Sequence, residues 1–436
     1  MPPSPSRRAG AKPLPAPPSP PDILVRHGLT RVINVSGVET VKGASPVCPE
    51  VIAAVSALVP HSVDMLELQS AACGVIAEAF EAEAGLVVNC TAAGIAIGVA
   101  ACMTGPDLAR VERLPETTGL KNEVILQRGH NINYGGPITQ NITLPGARVV
   151  EIGVATECGA YALAGAITPQ TAAALYVVSH HTAQTGMIDF GTFRRICRAR
   201  GVPVIVDAAA ESDPRRFLRA GADLVIVSMH KQFASLTAGV VAGRRDLVRA
   251  CLFQERGIGR PMKTGKESII AAMTALERWQ TLDRRRLGRA LDRRLARARE
   301  QLDRVPGVTA SIEPDAISGV FSRLHLRIDP TASGLDALAL AEALLAGDPS
   351  IFVRSLLAHA GLLQFDLRRV SDETADEVVA AVGAIVARAR RGRRTRSHGR
   401  AKPNAADAAA ARLKRFPLPL RRRSGSRSLT LAATKS

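Results

Sequence analysis

The sequence predicts an α/β protein in which a mostly parallel β-sheet is covered by helices on both faces. Three observations predict this class. Short apolar runs without polar alternation recur along the chain, amphipathic helical segments separate them, and aromatic residues make up only 3% of the 436 residues. Strands buried on both faces have continuous apolar sequences, and helical crossovers join parallel neighbours. A core with so few rings must be built mainly from Ala, Val, Leu and Ile.

The predicted elements follow in order from about residue 30. A short β-rich segment, "TRVINVSG" (30–37), comes before two Ala-rich helices at 48–59 and 67–84. Strands and helices then alternate, as is typical of a parallel sheet. The strands predicted in this part are 85–90, 123–129, 147–153, 173–181, 202–210 and 222–231. The helices predicted between them are 92–105, 189–201 and 214–221.

Four regions are predicted along the chain. A proline-rich arm without regular structure (1–22) precedes a major α/β domain (23–290). A long Arg-rich helix, about 267–304, leads into a smaller C-terminal α+β domain (291–390). A basic tail without regular structure (391–436) follows. The elements predicted in the smaller domain are 308–314, 322–329, 334–347, 362–368 and 372–390.

Positive charge is concentrated at the C-terminus. The formal net charge is +18, and the segment from Arg388 onward holds 16 Lys or Arg against one acid, Asp407. The folded body is therefore nearly neutral, whereas a nucleic-acid enzyme usually carries a basic surface on its fold. We expect a small-molecule substrate, and tRNA is a less favoured partner that the tail leaves open.

The cysteines and the apolar runs indicate the compartment. None of the seven cysteines has CxxC spacing, which favours free core thiols over disulfides or a metal site. The N-terminal segment lacks an apolar signal region, and no apolar stretch reaches the ~18 residues that a membrane span needs. We expect a cytoplasmic protein with no metal site and no membrane partner.

Two strand ends carry an acid and a lysine. Asp207 ends "VPVIVD" and Lys231 follows "ADLVIVSMH", with one helix between the two strands. Ligands of open parallel sheets lie beyond the carboxyl ends of the strands, so both groups can face one crevice. A buried lysine can lose its proton and form an imine, and a buried carboxylate can hold a protonated pyridine nitrogen. This pair predicts a pyridoxal 5'-phosphate site.

Small residues and hydroxyl groups nearby fit the rest of that cofactor. Ala208–Ala210, directly after Asp207, leave room for a flat ring. Thr91 opens the helix in "CTAAG" (90–94), whose free N–H groups can bind a phosphate, and Ser228 is a further phosphate contact. Each feature alone has an ordinary explanation, because an acid can cap a helix and a lysine can extend to solvent. Their combination and order favour the cofactor.

The segment "GIGRPMKTGKES" (257–268) has only a superficial likeness to a phosphate loop. Arg260 stands where a P-loop needs glycine, and Glu267 where it needs Ser or Thr. Met262 occupies the third glycine of a Rossmann fingerprint. Arg260 is instead predicted to meet an anionic substrate or a neighbouring subunit, and a solvated surface is the open alternative.

Several motifs together resemble one family. From about residue 30 to residue 390 the chain is similar to the selenocysteine synthase-like proteins, through "VINVSG", "RGH", "VPVIVDAAAE", "GADLVIVSMHK", "AGVVAGRRDLV" and "GRPMKTGKE". The resemblance implies a pyridoxal-phosphate enzyme of the aspartate aminotransferase fold, with a seven-stranded major sheet. It also implies a homodimer or larger assembly. The D-glucosaminate-6-phosphate ammonia-lyase-like subgroup is more similar than the tRNA-acting synthases.

The resemblance also implies roles by position. Lys231 resembles the Schiff-base lysine, and Asp207 resembles the partner of the pyridine nitrogen. Ala209 would lie against the ring, and His130 would stack on its other face. The further positions that it implies are Thr91, Ala92 and Ser228 at the phosphate, and Arg354, with Arg368 as a rival, at a substrate carboxylate.

Two departures from the family pattern narrow the function. About 29 residues precede "TRVINVSG" (30–37), where tRNA-acting relatives carry a tRNA-binding domain, and "ETVKGAS" (39–45) replaces their "TNLGR"-like run. His230 stands where relatives place glycine, so it can reshape the pocket or act as a catalytic acid–base group. We expect a lyase that eliminates and deaminates a small amino acid or amino sugar acid. The alternatives are a selenium transferase acting on seryl-tRNA and a regulatory protein that keeps the fold without the chemistry.

Overall fold

The computed structural model describes residues 20–315 and 320–393. Residues 1–19 of the predicted arm and 394–436 of the predicted tail lie outside this range. The strands are β1 (Val32–Asn34), β2 (Ala84–Val88), β3 (Glu123–Gln127), β4 (Arg148–Ile152), β5 (Thr171–Val177), β6 (Val204–Asp207), β7 (Leu224–Ser228), β8 (Gly239–Gly243), β9 (Val308–Pro314), β10 (Ser322–Ile328), β11 (Ser350–Phe352) and β12 (Leu362–Phe365).

The helices surround these strands. They are α1 (Pro20–Arg26), α2 (Pro49–Leu58), α3 (Met65–Phe80), α4 (Thr91–Thr104), α5 (Leu108–Arg113), α6 (Ile138–Thr143), α7 (Ala160–Ala166), α8 (Phe190–Ala199), α9 (Arg215–Arg219), α10 (Arg245–Phe253), α11 (Lys266–Thr281), α12 (Arg284–Leu302), α13 (Pro330–Ser333), α14 (Ala337–Leu345) and α15 (Asp372–Arg393). Within the part of the chain that the structure describes, no helix is long and apolar enough to cross a membrane.

The large sheet has seven strands in the order β2-β8-β7-β6-β5-β3-β4. All neighbours from β7 to β4 pair in parallel, and β8 is antiparallel to both β2 and β7. Every residue of β3, β6 and β7 is buried, because helices cover both faces of the sheet. The predicted mostly parallel seven-stranded sheet is confirmed.

Two apolar layers hold the helices to the sheet. Helices α2, α3, α8 and α11 pack on one face, around a small aromatic group made by Phe80, Phe233 and Trp279. Helices α4, α6 and α10 pack on the other face through aliphatic side chains such as Ile95 and Val248. Burying each such side chain contributes about 1.5–3 kcal/mol. The two layers fix the carboxyl edge of the sheet, where the site residues lie.

The predicted Arg-rich helix at 267–304 is wrong as one continuous helix. It divides into α11 and α12 because Leu282 adopts an extended backbone conformation, with ψ 126°, and Asp283 caps the next helix. The Asp283 carboxylate accepts a hydrogen bond from the Arg286 N–H at 2.9 Å. Helix α11 packs in the large core, whereas α12 packs in the smaller one, so the break marks the passage between the two cores.

The smaller unit contains a three-stranded antiparallel sheet, β12-β10-β9, and a parallel pair, β1 and β11. The sequence predicts residues 32–34 in the major domain that begins at residue 23. The structure differs here, because Ile33 and Val35 are buried in the apolar core of the C-terminal elements. The segment that follows β1 therefore passes from the smaller unit to the edge of the large sheet. The boundary at residue 290 stays a prediction.

Candidate active site

Asp207 and Lys231 meet at the carboxyl edge of the large sheet. Asp207 is the last residue of β6 and pairs in register with Ile226 of the neighbouring strand β7. Lys231 follows the last residue of β7, Ser228, by three positions. The charge of each group acts on the other, so the two side chains lie near each other. The region at the ends of β6 and β7 that holds them is called the crevice below. The structure thus brings together the acid and the lysine that the sequence singles out.

Asp207 is a buried acid whose negative charge has few compensating hydrogen bonds or positive charges nearby. Its side chain is 6% exposed, and its Oδ1 accepts a hydrogen bond from the Ala209 N–H at 3.2 Å. Burial raises the pKa of Asp207 to about 6, against the lowering effects of the Lys231 charge and of the Ala209 hydrogen bond. Such a carboxyl group gains most from a cationic N–H partner that enters the crevice. A protonated pyridine nitrogen is a partner of that kind.

Lys231 is held in a partly dehydrated position. Burial lowers the pKa of its amine, and the negative charges of Asp207 and Glu39 oppose that change. Its backbone carbonyl accepts a hydrogen bond from Ser45 Oγ at 2.5 Å, and the Ser45 N–H donates to the His230 carbonyl at 3.2 Å. An amine with a lowered pKa is more often unprotonated, so it is a better nucleophile and base.

The start of α4 forms a cradle beside Ser228. Strand register aligns Ser228 with Gly239 of β8, and Gly239 with Val88 at the end of β2. A Cβ atom at Gly239 would lie 2.6 Å from the Cys90 carbonyl carbon, so only glycine lets the chain before α4 approach β8 this closely. The cradle is therefore built by backbone contact between two strand ends.

The cradle offers hydrogen-bond donors without acceptors. The N–H groups of Thr91 and Ala92 belong to the first turn of α4 and have no acceptor within the helix. Ser228 Oγ is buried and finds no hydrogen-bond partner in the described residues. An orphaned buried hydroxyl is costly unless a ligand satisfies it. These donors fit the phosphate of the predicted cofactor.

His130 lies in a short turn after β3. Its Nδ1 accepts a hydrogen bond from the Val177 N–H at 3.2 Å, and its ring meets that of Tyr176 edge-on with centroids 4.7 Å apart. Burial lowers the pKa of His130 to about 4, so the imidazole is neutral at pH 7. Because Nδ1 accepts a hydrogen bond, the proton of the neutral ring is on Nε2.

The two candidate arginines differ in their partners. Arg368 forms a two-point contact with the Asp366 carboxylate, at 2.9 and 2.6 Å. Arg354 makes no ion pair with any described residue, and burial, followed by the positive charge of Arg323, lowers its pKa. The structure therefore separates the rivals: Arg368 is already paired, and Arg354 is available to an anion.

Two histidines lie near both Arg354 and Lys231. The rings of His180 and His181 are 4.0 Å apart between centroids. Burial lowers the pKa of His180 to about 3, and the positive charges of Arg354 and Lys231 contribute. Burial also lowers the pKa of His181, while the Glu39 carboxylate opposes the change. Neutral imidazoles and the Glu39 carboxylate thus lie near Arg354 on this side of the site.

The last two predicted positions are His230 and Arg260. His230 Nε2 lies 3.3 Å from Thr40 Oγ1, and its Nδ1 is buried without a partner among the described residues. Arg260 is exposed, and none of its described contacts joins it to Lys231. The loop that carries it does touch the strand before the cradle, since the Asn89 amide donates to the Lys263 carbonyl at 3.3 Å.

Three residues near the crevice escaped the sequence interpretation. Tyr134 is one of them: burial raises the pKa of its phenol, and the negative charge of Asp207 raises it further, so the hydroxyl lies near the strand ends. The carboxylate of Glu39, which forms an ion pair with Lys42 at 3.0 Å, also acts on the charges of Lys231 and Arg354. Gln232 directly follows the lysine. All three lie in loops, and a signal in the sequence was the unusual "ETVKGAS" run that contains Glu39.

Known proteins identify the fold and the family. No family profile matches the chain. The chain is 36% identical over 368 residues to D-glucosaminate-6-phosphate ammonia lyase from Salmonella typhimurium, covering 84% of this chain and 98% of the relative. The chain belongs to the selenocysteine synthase-like pyridoxal-phosphate enzymes. The solved structure of a D-glucosaminate-6-phosphate ammonia-lyase superposes with a TM-score of 0.77 at 35% identity, over 85% of this chain and all of the other.

Other members of the family place the chain within it. It is 39% identical over 354 residues to 5'-C-glycyluridine monooxygenase-decarboxylase from a Streptomyces species, covering 81% of this chain and 89% of the relative. L-seryl-tRNA(Sec) selenium transferase from Desulfomicrobium baculatum is 24% identical, over 83% of this chain and 84% of its own length. The predicted preference for the ammonia-lyase-like subgroup over the tRNA-acting synthases is confirmed, and the chain is a pyridoxal-phosphate-dependent enzyme by family.

Proposed function

We propose that the chain binds pyridoxal 5'-phosphate at the carboxyl edge of its large sheet. The observation that carries this proposal is the placement of Asp207, Lys231 and the orphaned Ser228 hydroxyl at the ends of two neighbouring strands, β6 and β7. Lys231 would hold the cofactor covalently, Asp207 would hold its ring nitrogen, and the start of α4 (Thr91 and Ala92), with Ser228, would hold its phosphate. When bound, the cofactor supplies a ring that accepts electrons from the substrate α-carbon.

The substrates of the relatives share one chemical pattern. Glucosaminate, 5'-C-glycyluridine and the serine of seryl-tRNA are all α-amino acids with a hydroxyl group on the β-carbon. We infer that this chain acts on a small β-hydroxy-α-amino acid of the amino sugar acid type. Loss of a proton from the α-carbon and of hydroxide from the β-carbon removes one water. The resulting enamine rearranges to an imine, and one water hydrolyses it to a 2-keto acid and ammonia.

Residues of this chain divide that work among them. Lys231, with its lowered pKa, would take the α-proton as general base. Arg354, which has no ionic partner among the described residues, would bind the α-carboxylate. His130 would lie against the other face of the cofactor with its proton on Nε2. Glu39 and His181, beside Arg354, would contact the hydroxyl groups of the substrate chain.

A product assay tests this function. The purified, cofactor-supplemented protein would be incubated with a panel of D- and L-β-hydroxy-α-amino acids, amino sugar acids and their phosphates. We expect equal amounts of ammonia and 2-keto acid from at least one of them, and none from the matching substrate without a β-hydroxyl group. Release of neither product from the panel, despite a visible absorbance band, would contradict the lyase assignment and favour the regulatory alternative.

Oxidative decarboxylation is the second candidate, because the 39% identical relative is a monooxygenase-decarboxylase. The same panel would be incubated with and without oxygen, while oxygen uptake and carbon dioxide release are followed. An elimination proceeds equally well without oxygen and releases no carbon dioxide. Oxygen uptake matched by carbon dioxide release would assign the chain to the second candidate.

Several expectations remain predictions. They concern the homodimer or larger assembly, the cytoplasmic location, the acid–base role of His230 and the substrate role of Arg260. Selenium transfer on seryl-tRNA is also untested, and a filter-binding assay with tRNA at moderate salt would test it. Equal binding of tRNA and of an unrelated polyanion would indicate nonspecific attraction to the basic tail.

A further inference from the structure

Gln232 directly follows the candidate catalytic lysine and contacts two parts of the molecule. Its side-chain Nε2 donates a hydrogen bond to the Ala210 carbonyl at 3.0 Å. Its Oε1 accepts from Arg368 Nη1 at 3.3 Å, and its backbone carbonyl accepts from Arg369 Nη2 at 2.6 Å. Ala210 belongs to the turn after Asp207, whereas the two arginines belong to the smaller unit. One residue thus joins the turn after Asp207 and the smaller unit to the loop that carries Lys231.

The arginine end of this contact is rigidly held. The Asp366 carboxylate binds Arg368 through two hydrogen bonds, and its backbone N–H donates to the Val35 carbonyl at 2.7 Å. The guanidinium carbon of Arg368 also lies 3.2 Å from the centroid of the Phe321 ring. The orientation of Arg368 is therefore fixed by contacts within the smaller unit, independently of Gln232.

Arg369, the second arginine, relies on Gln232 for its hydrogen-bond acceptors. Burial lowers the pKa of Arg369 to about 10, and the like charge of Arg368 contributes, so Arg369 still carries its charge at pH 7. Its Nε is buried without a hydrogen-bond partner among the described residues, and its Nη2 donates to the carbonyl and to Oε1 of Gln232. A buried cation needs such acceptors. Gln232 supplies them next to the lysine.

We propose that Gln232 is a positioning residue that couples the smaller unit to Lys231 and to the Asp207 turn. The inference rests on the proposed role of Lys231. The oxygen of a primary amide can accept from two guanidinium groups while its NH2 group donates to a carbonyl. Glutamate at this position keeps the acceptors but loses the donor, and methionine loses both. The orientation of the lysine loop then depends on the smaller unit, in which Arg354 would bind the substrate.

Two variants and a matched control test the proposal. Gln232→Glu and Gln232→Met would be compared with Gln254→Met, which removes a fully buried glutamine that donates to Thr104 Oγ1 at 2.9 Å, away from the crevice. Three quantities are measured on each protein: the thermal unfolding midpoint, the pH midpoint of the visible absorbance of the cofactor-loaded protein, and kcat and KM with the substrate found in the panel.

The proposal predicts a specific pattern. Gln232→Met lowers kcat about tenfold with KM changed less than about twofold, because the three side-chain hydrogen bonds that orient the loop are lost. Gln232→Glu lowers kcat similarly and raises the pH midpoint by about one unit, since its carboxylate favours the protonated form of the nitrogen at Lys231. The Gln254→Met control changes the unfolding midpoint but neither the pH midpoint nor kcat per loaded site.

The outcomes separate this inference from the proposed function. A wild-type protein that gains no visible absorbance with added cofactor would overturn the proposed function and the inference with it. A wild-type protein that loads normally, with both Gln232 variants matching its pH midpoint and kcat, would overturn the inference alone. If either variant fails to fold, Arg369→Lys tests the same contact from the other side, and an unchanged kcat in that variant would also overturn the inference.

Discussion

Asp207 and Asp366 are both buried aspartates at the ends of strands, yet their surroundings differ in almost every other respect. They are 6% and 3% exposed, respectively. Burial raises the pKa of Asp207 to about 6, because one backbone N–H and the charge of a partly buried lysine do not compensate for lost hydration. Burial acts on Asp366 as well, but the guanidinium groups of Arg368 and Arg323 outweigh it and bring its pKa to about 2.

The comparison separates a site from a structural cluster. Asp366 has its ionic partners inside the protein, so it ties the smaller unit together and needs no ligand. Among the described residues, Asp207 forms no ion pair and the Ser228 hydroxyl has no hydrogen-bond partner. A bound ligand could supply the missing partner to each group and so offset the cost of burying it. The same contrast distinguishes Arg354 from Arg368. Incomplete pairing, more than burial or charge alone, marks the candidate active site.

The largest effect is expected for Asp207→Asn. We predict that kcat of the proposed lyase falls about 100- to 1000-fold, because the ring nitrogen loses its anionic partner. The free energy of unfolding of the cofactor-free protein should rise, since a poorly compensated buried acid is removed. Steady-state kinetics and urea unfolding check both parts. A variant with near-wild-type kcat would show that Asp207 is a structural residue like Asp366.

Asp366→Asn should produce the opposite pattern. Removing this carboxylate leaves the buried Arg368 guanidinium without its ionic partner, whereas Arg323 keeps its ion pair with Asp315 at 2.9 Å. We expect a loss of about 3–5 kcal/mol in the free energy of unfolding. Urea unfolding at pH 7 measures the loss. A change below about 1 kcal/mol would mean that the cluster contributes as little as a surface ion pair does.

The two acids also predict opposite pH dependences of stability. Asp366 has a lowered pKa, so its contribution is present above its ordinary value of 3.8 and is lost as the pH falls toward about 2. Asp207 has a raised pKa, so its contribution to the free energy of unfolding decreases as the pH rises from 3.8 to about 6. Each effect is on the order of 2 kcal/mol.

Urea unfolding of the cofactor-free protein between pH 3 and 7 separates the two contributions. The Asp207→Asn variant should lack the decrease between pH 4 and 6 and keep the loss at lower pH. If the variant follows the wild-type curve throughout, Asp207 titrates as an ordinary acid and the contrast with Asp366 does not hold.

The smallest effect in this series concerns the paired and unpaired arginines. Arg354→Met should raise KM about 10- to 100-fold with a small change in stability, because a charged hydrogen bond to the substrate is lost. Arg368→Met serves as its matched control and should instead lower the free energy of unfolding, since Asp366 loses its two-point contact. If both substitutions change KM equally, Arg354 is not distinguished from Arg368 as the arginine that binds the substrate.

The sequence predicts the part of the site that is carried by regular structure. Asp207 and Lys231 follow continuous apolar runs, which predict buried parallel strands and therefore a common edge. The antiparallel strand β8 was missed because "GVVAG" is short and begins and ends with glycine, which is untypical of strands. The sequence predicted one helix over 267–304 because the Arg-rich pattern continues across Asp283, although Asp283 is a good N-cap residue for a second helix.

The remaining contacts depend on tertiary structure. Tyr134, Glu39 and Gln232 lie in loops, where side-chain positions follow from packing and hydrogen bonds that no periodic pattern encodes. The sequence also does not show which of Arg354 and Arg368 is free to bind a substrate, because the ion pair between Arg368 and Asp366 forms only in the folded chain. Sequence reasoning found both arginines, but only the three-dimensional arrangement distinguishes an available guanidinium group from a paired one.

Borohydride trapping followed by peptide mass spectrometry tests the central claim most directly. The protein would be loaded with pyridoxal phosphate, reduced, digested and mapped, with Lys231→Ala as the comparison. We predict a single phosphopyridoxyl modification at Lys231 in the wild-type protein and none in the variant. Modification of a different lysine, or equal labelling of the Lys231→Ala protein, would contradict the assignment of this crevice as the cofactor site.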